Sequence, residues 1–253
     1  MSESAGRTRA TIRVTMKKEG DLRFLSHLDV VRALKRAFTR GRVPAAMSQG
    51  FNPQIRIAFL APLPVGVASR CEVFHFDLAA PMDADDVARR LGAGLPPGLG
   101  IVSAEADSGE RVRHFESLFL VEKGGDPFPA KSDVAAFLAS DSAFVERRLG
   151  PSASALAARR TIDVRPFVGG ARVADGGALE IRIRTLLGRT VRADDVVAAM
   201  AGEPARDAIS LVTKLDWRPI GDAEAEPLLS LLPAAGESSP AGDGAAPAED
   251  EAP

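Results

Sequence analysis

The chain has 253 residues, of which 45% are hydrophobic and 26% charged, and its formal net charge is −2. This composition is typical of a globular protein, and the length allows one large domain or two smaller ones. The sequence contains no run of about 20 apolar residues, which excludes a hydrophobic transmembrane helix. The N-terminal segment lacks the apolar core of a signal peptide, so we expect a cytoplasmic protein that does not contact a membrane.

Cysteine and histidine usage argues against a metal centre. Cys71 is the only cysteine, which excludes an intrachain disulfide framework and a cysteine-rich zinc or iron–sulfur site. The three histidines, His27, His75 and His114, are widely spaced and form no HExxH motif. We therefore expect no metal and no cofactor in this chain, and we expect Cys71 to be a small apolar core residue.

Charge is distributed unevenly along the chain. Residues 7–56 hold twelve basic and three acidic side chains, a net charge of +9, whereas residues 221–253 hold eight acidic side chains and no basic one. A cationic region of this kind attracts nucleic acid. Charge that is merely solvated is an equally good interpretation of the same residues.

Hydrophobic periodicity predicts alternating strands and helices in the first half of the chain. The predicted elements are, in order, strand Thr11–Lys18, helix Ser26–Arg40, strand Ile55–Leu60, strand Cys71–Ala79, helix Asp83–Gly92 and strand Gly100–Ala106. This β-α-β-β-α-β order is that of a ferredoxin-like fold, an antiparallel sheet with two helices on one face.

The second half repeats this order less regularly. Its predicted elements are strand His114–Lys123, helix Ser132–Ala139, short strands Phe144–Arg148 and Thr161–Phe167, strand Leu179–Leu186, helix Ala193–Ala201 and strand Ala208–Trp217. We expect an α+β protein of two tandem ferredoxin-like halves, a basic one over residues 9–110 and a second over 111–220. Residues 221–253 should form a disordered acidic tail, because the residues from Ala234 onward hold too few apolar side chains to offset the entropy of ordering. A short helical segment over Pro227–Pro233 is an alternative for the start of this tail.

The predicted first helix has a capped start and a cationic side. Ser26 and Asp29 have the spacing of an N-terminal capping box, and Gly41 is a typical C-terminal stop. The apolar positions expected to face the core are Leu28, Val31, Leu34 and Phe38. The cations expected on or beside the exposed side, where they could neutralise phosphates, are Arg32, Lys35, Arg36 and Arg40. For the last two cations, compensation of the helix dipole is an alternative role.

Aromatic residues give little support for base readout by the sheet. Phe74 and Phe76 share a strand face with Leu78, which predicts that they pack in the core, and the chain has no tyrosine. Stacking of RNA bases on an open sheet face, as in RNA-recognition motifs, is therefore disfavoured. Contact with the RNA backbone through the basic helix remains compatible with the sequence.

A loop region rich in Gly, Pro and Asn follows the basic helix. It contains the motifs SQGFNP at residues 48–53 and PLPVG at residues 62–66. Loops with conformationally restricted residues and polar side chains often hold ligands on a rigid scaffold. A simple turn, and protection of an edge strand by the prolines, are the alternatives.

His27 is a weak candidate for a general acid or base. It falls in the first turn of the predicted helix, where the dipole should lower its pKa and favour the neutral ring. Catalysis would need a partner group within hydrogen-bond reach, and the sequence identifies none.

The run GDLRFLSHLDVVRALKRAFTRGRVPAAMSQGFNPQIRIAFLAPLPVGVASRCE, residues 20–72, resembles the opening of the bacterial radical SAM-linked proteins, a domain of unknown function. The later runs TIDVRPFV and LEIRIRTLLGRTVRADDVVAAM are similar to its second half. The resemblance implies a protein fused to, or encoded beside, a cobalamin-binding-type radical SAM protein. The family usually continues its Gly-Phe-Asn-Pro motif with His-Pro, whereas this chain has Gln54-Ile55, which argues against an essential acid or base there. Radical SAM chemistry needs a three-cysteine cluster motif, so it must belong to a partner protein.

These features favour binding over catalysis. The leading hypothesis is a non-catalytic accessory protein that acts with a radical SAM enzyme and contacts RNA or presents substrate. The alternatives are an RNA-processing or RNA-modifying enzyme of tandem ferredoxin-like type that uses His27, and a protein-interaction module that docks through Phe51 and the Pro-rich loop. The candidate binding residues are Arg23, Ser26, His27, Asp29, Arg32, Lys35, Ser48, Gln49, Gly50, Phe51, Asn52, Pro53, Arg56, Gly66 and Glu72.

Overall fold

The computed structural model describes residues 10–107, 112–148 and 159–232. The chain divides into two compact units between residues 111 and 112. Both units contain helices and antiparallel strands, so the predicted α+β class is confirmed. No helix in the described ranges is long and apolar enough to cross a membrane.

The first unit contains four strands and two α-helices in its described residues. They are β1 (Thr11–Lys18), α1 (His27–Gly41), β2 (Ala58–Phe59), β3 (Val67–Asp77), α2 (Ala84–Gly94) and β4 (Leu99–Asp107). A short 3-10 turn, Gly20–Phe24, connects β1 to α1. Every strand pairing within the unit is antiparallel, and the strands follow the order β4-β1-β3-β2.

The core of the first unit lies between the sheet and its two helices. Ile12, Val14 and Met16 alternate along β1 as buried residues, and they pack in one cluster with Phe74 and Phe76 of β3. The predicted core position of these two phenylalanines is therefore confirmed. Alternation places the next buried position of β1 at Lys18, which is 2% exposed.

The inward face of α1 differs from the predicted one. Leu28 is 61% exposed and Val31 is only half-buried, so the prediction that both face the core is wrong. Leu34 and Phe38 are buried as predicted, and the remaining buried positions are Val30, Ala33 and Ala37. Small alanines replace large side chains on this face because α1 and α2 approach closely. A Cβ atom added at Gly94 of α2 would lie 2.8 Å from Ala37 Cα.

The predicted second strand is shorter in the structure. Of Ile55–Leu60, only Ala58–Phe59 joins the sheet as β2. Ile55 instead forms an isolated bridge with Met47. This bridge closes the preceding loop on itself, and the chain is therefore not available to extend β2.

The second unit has a similar strand order with an additional hairpin. Its described elements are β5 (His114–Lys123), α3 (Lys131–Ala139), β6 (Phe144–Arg148), β7 (Arg159–Asp163), β8 (Val168–Val173), β9 (Leu179–Leu186), α4 (Ala193–Ala201), β10 (Ile209–Pro219) and α5 (Asp222–Leu229). The strands of its main sheet follow the antiparallel order β10-β5-β9-β8. Among the described strands, β6 and β7 pair only with each other.

Two predictions for this unit need correction. The predicted strand Thr161–Phe167 is a strand only as far as Asp163 and continues as the 3-10 turn Arg165–Phe167. A segment inside the tail predicted to be disordered from residue 221 is the helix α5, which buries Ala225 against Leu186 and Ile220. Three leucines of the tail pack against the same cluster. The prediction missed this apolar contact because it considered the average composition of the whole tail. Residues 233–253 of the tail lie outside the described residues.

Buried carboxylates of the second unit are paired with arginines. Asp195 of α4 is 1% exposed and accepts hydrogen bonds from Arg147 and Arg206. Its pKa is lowered, because these bonds outweigh the opposing effect of burial. Glu116 of β5 is 5% exposed, and its carboxylate accepts a hydrogen bond from Arg218 Nε at 3.2 Å. These networks account for the most buried acids of the unit, and each has a structural role.

Candidate functional site

The end of β1 and the start of α1 form a polar cluster within an otherwise apolar core. Lys18 ends the buried row of β1, and Glu72, which is 3% exposed, precedes the buried phenylalanines of β3. The pKa of Lys18 is lowered because burial disfavours the ammonium, and the opposing charge of Glu72 compensates only in part. Two charged side chains at adjacent ends of buried rows are unusual in a core, which makes this cluster a candidate site.

His27 belongs to the same cluster. It is the first residue of α1, is half-buried, and contacts the Phe59 ring edge-on with ring centroids 4.8 Å apart. Burial lowers the pKa of the imidazole, and the charge of Lys18 lowers it further. The ring is therefore neutral at pH 7, and one nitrogen donates a hydrogen bond while the other accepts one.

The start of α1 is capped as predicted. The Asp29 amide donates to Ser26 Oγ at 3.2 Å, and the Ser26 hydroxyl donates to Asp29 Oδ2 at 2.6 Å. Arg32 donates to the other carboxylate oxygen of Asp29 at 3.0 Å. The hydrogen bond from Ser26 and that from Arg32 lower the pKa of Asp29. Ser26 and Asp29 thus fix the direction of the helix start, and Arg32 has a local partner while remaining exposed.

Arg23 and Gly66 meet beside this helix start. The Gly66 amide donates to the Arg23 carbonyl at 2.9 Å, and the Arg23 guanidinium lies over the Phe24 ring at 4.3 Å. Gly66 has a φ of +90°, a conformation that other residues rarely adopt. The PLPVG segment is therefore attached to the turn before α1. Phe24 remains 56% exposed at this position. We call Lys18, Arg23, Ser26, His27, Gly66 and Glu72 the helix-start cluster.

The SQGFNP motif forms a closed loop. Its ends are joined by the Met47–Ile55 bridge, the Ser48 amide donates to the Gln54 carbonyl at 2.8 Å, and the Gln54 amide donates to Ser48 Oγ at 3.0 Å. Asn52 Oδ1 accepts from the Gln54 side chain at 3.2 Å. The side chain of Phe51 at the tip of the loop is fully exposed. The loop therefore holds an aromatic ring in solvent on a hydrogen-bonded base.

A side-chain hydrogen bond joins this loop to the basic helix. Lys35 Nζ donates to Gln54 Oε1 at 2.9 Å. Arg32 and Arg36, one helical turn apart on α1, are both exposed. The fourth predicted cation, Arg40, donates to the Gly94 carbonyl at the end of α2, which favours the structural role considered for it. We call Arg32, Lys35, Arg36 and the loop 48–54 the helix–loop face.

Arg56 lies beside the loop of the helix–loop face. It borders a small depression of about 80 Å³ together with Ala46, Met47, Ser48, Gln49 and Asp77. Asp77 accepts a hydrogen bond from Thr11 at 2.8 Å. The depression is large enough for a few water molecules. Gly50 and Pro53 are exposed loop residues, and Gly50 has a φ of +123°.

The structure thus gathers the predicted residues into two groups rather than one. Two residues at the helix-start cluster were not predicted from the sequence. Lys18 is a member of the cluster, and Phe59 contacts its residue His27. The signal for Lys18 was present, since the alternation that buries Ile12, Val14 and Met16 continues to it. No group of three or more His, Cys, Asp or Glu residues in the described part of the chain is arranged to hold a metal ion.

These observations define an α+β protein with a charged cluster buried at one helix start and a cationic helix joined to an aromatic-tipped loop. The chain belongs to a family of uncharacterized proteins conserved in bacteria (DUF2344), whose model matches residues 11–195. No curated protein matches the chain. Among solved structures, one similar chain comes from a crystal structure of a Cbf5-Nop10-Gar1 complex, with a TM-score of 0.40 and 12% identity. The similarity covers 81% of this chain and 48% of that chain, so it spans about half of the other protein.

Proposed function

We propose that this protein is a non-catalytic accessory protein that binds RNA through the helix–loop face and acts with a radical SAM enzyme. The observation that carries the RNA part is the hydrogen bond between Lys35 and Gln54. It joins exposed cations and an exposed phenylalanine into one surface. Cations neutralise phosphates, and an exposed aromatic ring is a platform for an unpaired base.

The radical SAM partner is inferred from the resemblance of residues 20–72, and we expect both proteins to act together in the cytoplasm. The tandem ferredoxin-like arrangement is a further part of the proposal. The order β4-β1-β3-β2 in the first unit, and the order β10-β5-β9-β8 in the second, support it. In the second unit the β6–β7 hairpin would then be an insertion between the first helix and the second strand.

Charge reversal on α1 tests the RNA part. The variant Arg32→Glu/Lys35→Glu should bind a labelled single-stranded oligoribonucleotide about tenfold or more weakly. It should also reduce the slope of log affinity against log salt by about 0.7 for each lost phosphate contact. Fluorescence anisotropy at several salt concentrations measures both quantities.

The matched control is Arg89→Glu/Arg172→Glu. The side chains of both arginines are 68% exposed, and each pairs with one acid as Arg32 does, so the control has the same change in net charge as the test variant. This control should keep the affinity within about threefold of wild type, because neither arginine belongs to the helix–loop face. Equal losses in both variants would indicate a non-specific charge effect, and absence of RNA binding by the wild type at low salt would end the RNA proposal.

A pull-down from native lysate tests the partner. Recovery of RNA together with a radical SAM protein supports the whole proposal. Recovery of the radical SAM protein without RNA supports the interaction-module alternative. Recovery of neither contradicts the accessory role.

A second candidate function, RNA processing or modification, is favoured by one specific observation. His27 is neutral, half-buried and close enough to the buried Lys18 for the lysine charge to lower its pKa, and perturbed ionisable groups concentrate at active sites. This candidate requires that His27→Ala abolish an activity on RNA while leaving RNA affinity intact. Unchanged activity in that variant would remove it.

A further inference from the structure

A chain of side-chain hydrogen bonds runs from α1 into the loop 48–54. Lys35 Nζ donates to Gln54 Oε1 at 2.9 Å, and Gln54 Nε2 donates to Asn52 Oδ1 at 3.2 Å. An ammonium group only donates, so the Gln54 carboxamide directs its oxygen toward Lys35 and its nitrogen toward Asn52. Asn52 in turn presents its oxygen to Gln54. The lysine therefore fixes the orientation of both amide groups.

This chain leaves the amide nitrogen of Asn52 unused. Among the described residues, the Asn52 side chain takes part in no hydrogen bond besides the one that its oxygen accepts. Asn52 is exposed, so both N–H groups of its amide are available to a ligand. Asn52 directly follows Phe51, whose ring is fully exposed. An aromatic platform and a free hydrogen-bond donor are thus consecutive residues of the loop.

The exposed side of α1 supplies cations with spare donors. Arg32 gives one N–H group to Asp29 at 3.0 Å, and its side chain is 66% exposed. Arg36 is exposed, and it makes neither a hydrogen bond nor an ion pair with the described residues. The phosphates of a nucleic-acid strand offer acceptors and negative charge, so they match these side chains.

The exposed ring discriminates between the forms of RNA. In an A-form duplex the bases are paired and stacked on one another, and only their edges in the shallow minor groove are accessible. The Phe51 ring can therefore stack only on an unpaired base. Stacking tolerates every base, so a preference among bases requires a hydrogen bond. Guanine and uracil carry a carbonyl oxygen where adenine and cytosine carry an amino group.

We propose that the helix–loop face binds a single RNA strand and prefers uracil or guanine at one position, where the base stacks on Phe51 and its carbonyl oxygen accepts a hydrogen bond from Asn52. This inference rests on the proposed RNA function, and it names the form of the RNA and the residue that selects the base. Adenine or cytosine would place an amino donor against the Asn52 donor. Rotation of the Asn52 amide does not relieve this conflict, because it would bring the Asn52 nitrogen against the Gln54 nitrogen.

The test compares labelled oligouridylate and oligocytidylate of equal length by fluorescence anisotropy. The wild type should bind oligouridylate about three to ten times more tightly, which is the effect of one hydrogen bond. Asn52→Asp keeps an acceptor for Gln54 but replaces the free donor with an acceptor, so this ratio should fall to about one or below. The added negative charge weakens the binding of both oligomers alike and cancels in the ratio.

Phe51→Ala tests the stacking. This variant should bind both oligomers about tenfold or more weakly and should lose the preference for uracil. The matched control is Phe144→Ala, which removes another exposed phenylalanine, from β6 of the second unit, and should leave affinity and preference unchanged. An RNA duplex of mixed sequence should bind the wild type about tenfold or more weakly than oligouridylate does.

The outcomes separate this inference from the proposed function. Absence of RNA binding by the wild type at low salt overturns both. RNA binding that Arg32→Glu/Lys35→Glu weakens, with equal affinity for the two oligomers, supports the proposed function and overturns the inference. A preference for uracil that persists in Asn52→Asp overturns it as well, and so does a duplex that binds as tightly as the single strand.

Discussion

His27 is placed where its protonated form is disfavoured by two independent effects. Its ring is half-buried against Phe59, and Lys18 lies close enough to repel an imidazolium. The pKa of His27 in the folded protein therefore lies below the value of about 6.5 expected in the unfolded chain. Protonation of this residue thus opposes folding.

This placement predicts a specific acid sensitivity. Between the folded and the unfolded pKa, the unfolded chain binds more protons, so stability falls as the pH drops. The contribution of His27 is fully present above about pH 6.5 and is lost as the pH falls toward the folded pKa. His27→Gln should therefore flatten the pH dependence of the free energy of unfolding in this range, measured by urea unfolding at a series of pH values. His75→Gln, in the same unit, should retain the loss, because His27 is intact in that variant.

The comparison should use the slopes against pH rather than the absolute stabilities. His27→Gln also removes the contact with Phe59, which lowers stability at every pH. A variant whose stability still falls as steeply as that of the wild type below pH 6.5 would contradict the placement of His27 beside Lys18.

At the scale of elements, the packing of α1 on α2 depends on a glycine. A Cβ at Gly94 would lie 2.8 Å from Ala37 Cα and 3.0 Å from the Ala37 carbonyl oxygen, both of which are backbone atoms that cannot rotate away. Gly94→Ala should therefore lower the free energy of unfolding by about 1 to 3 kcal/mol. Gly92→Ala, one half-turn earlier in α2, meets nothing within 4 Å and should raise it by about 0.5 to 1 kcal/mol.

The two variants differ only in position, so equal effects on the urea midpoint would show that helix propensity, and not the close approach, determines the outcome. The close approach also explains why Ala33 and Ala37 occupy the inner face of α1. Leu28 and Val31 were predicted to face the core because they are large and apolar. A prediction based on large apolar side chains overlooks the alanines that occupy the inner face.

Elements with a regular pattern could be predicted from the sequence. The bounds of β5, β9 and α4 agree with the predicted ones, and Ser26 and Asp83 cap α1 and α2 as expected. β8 was missed because Gly169 and Gly170 interrupt its alternation of side chains. A tertiary contact requires glycine at position 169, since a Cβ there would lie 2.0 Å from the buried Glu116 carboxylate on β5. Such a requirement is not visible in a local pattern.

The candidate site was only partly predictable for the same reason. The cap residues and the loop motif have local sequence signals, and both are present in the structure. The contact of His27 with Phe59 and that of Lys35 with Gln54 join residues 32 and 19 positions apart in the chain, so no local spacing indicates them. Lys18 was missed because a lysine is normally assigned to the surface, although the alternation of β1 placed it inside.

At the scale of the whole molecule, the C-terminal region has two parts with different roles. α5 buries Ala225 against Leu186 and Ile220, and Glu224 accepts hydrogen bonds from Arg218 at 2.8 and 3.2 Å. The composition of residues 233–253 predicts no ordered structure. A chain ending at residue 232 should therefore keep the stability of the full-length protein. A chain ending at residue 220 should lose at least about 1.5 kcal/mol, the contribution of one buried apolar side chain.

Chemical unfolding of both truncated chains measures this difference. The two chains also differ in charge, so the measurements belong at an ionic strength that screens surface charges. Equal stability of the two chains would mean that α5 contributes nothing to the fold, in spite of its contacts with Leu186 and Ile220.

The closed loop at residues 48–54 has a practical consequence for optical measurements. The protein contains one tryptophan, Trp217, and no tyrosine, so near-ultraviolet emission comes from a single indole. Ser48 and Gln54 hold the base of the loop, and the ring of Phe51 is fully exposed. An indole can therefore replace that ring without disturbing the fold. With Trp217 changed to phenylalanine, Phe51→Trp would give a single fully hydrated fluorophore. Its quenching or blue shift would report contact at the loop tip directly.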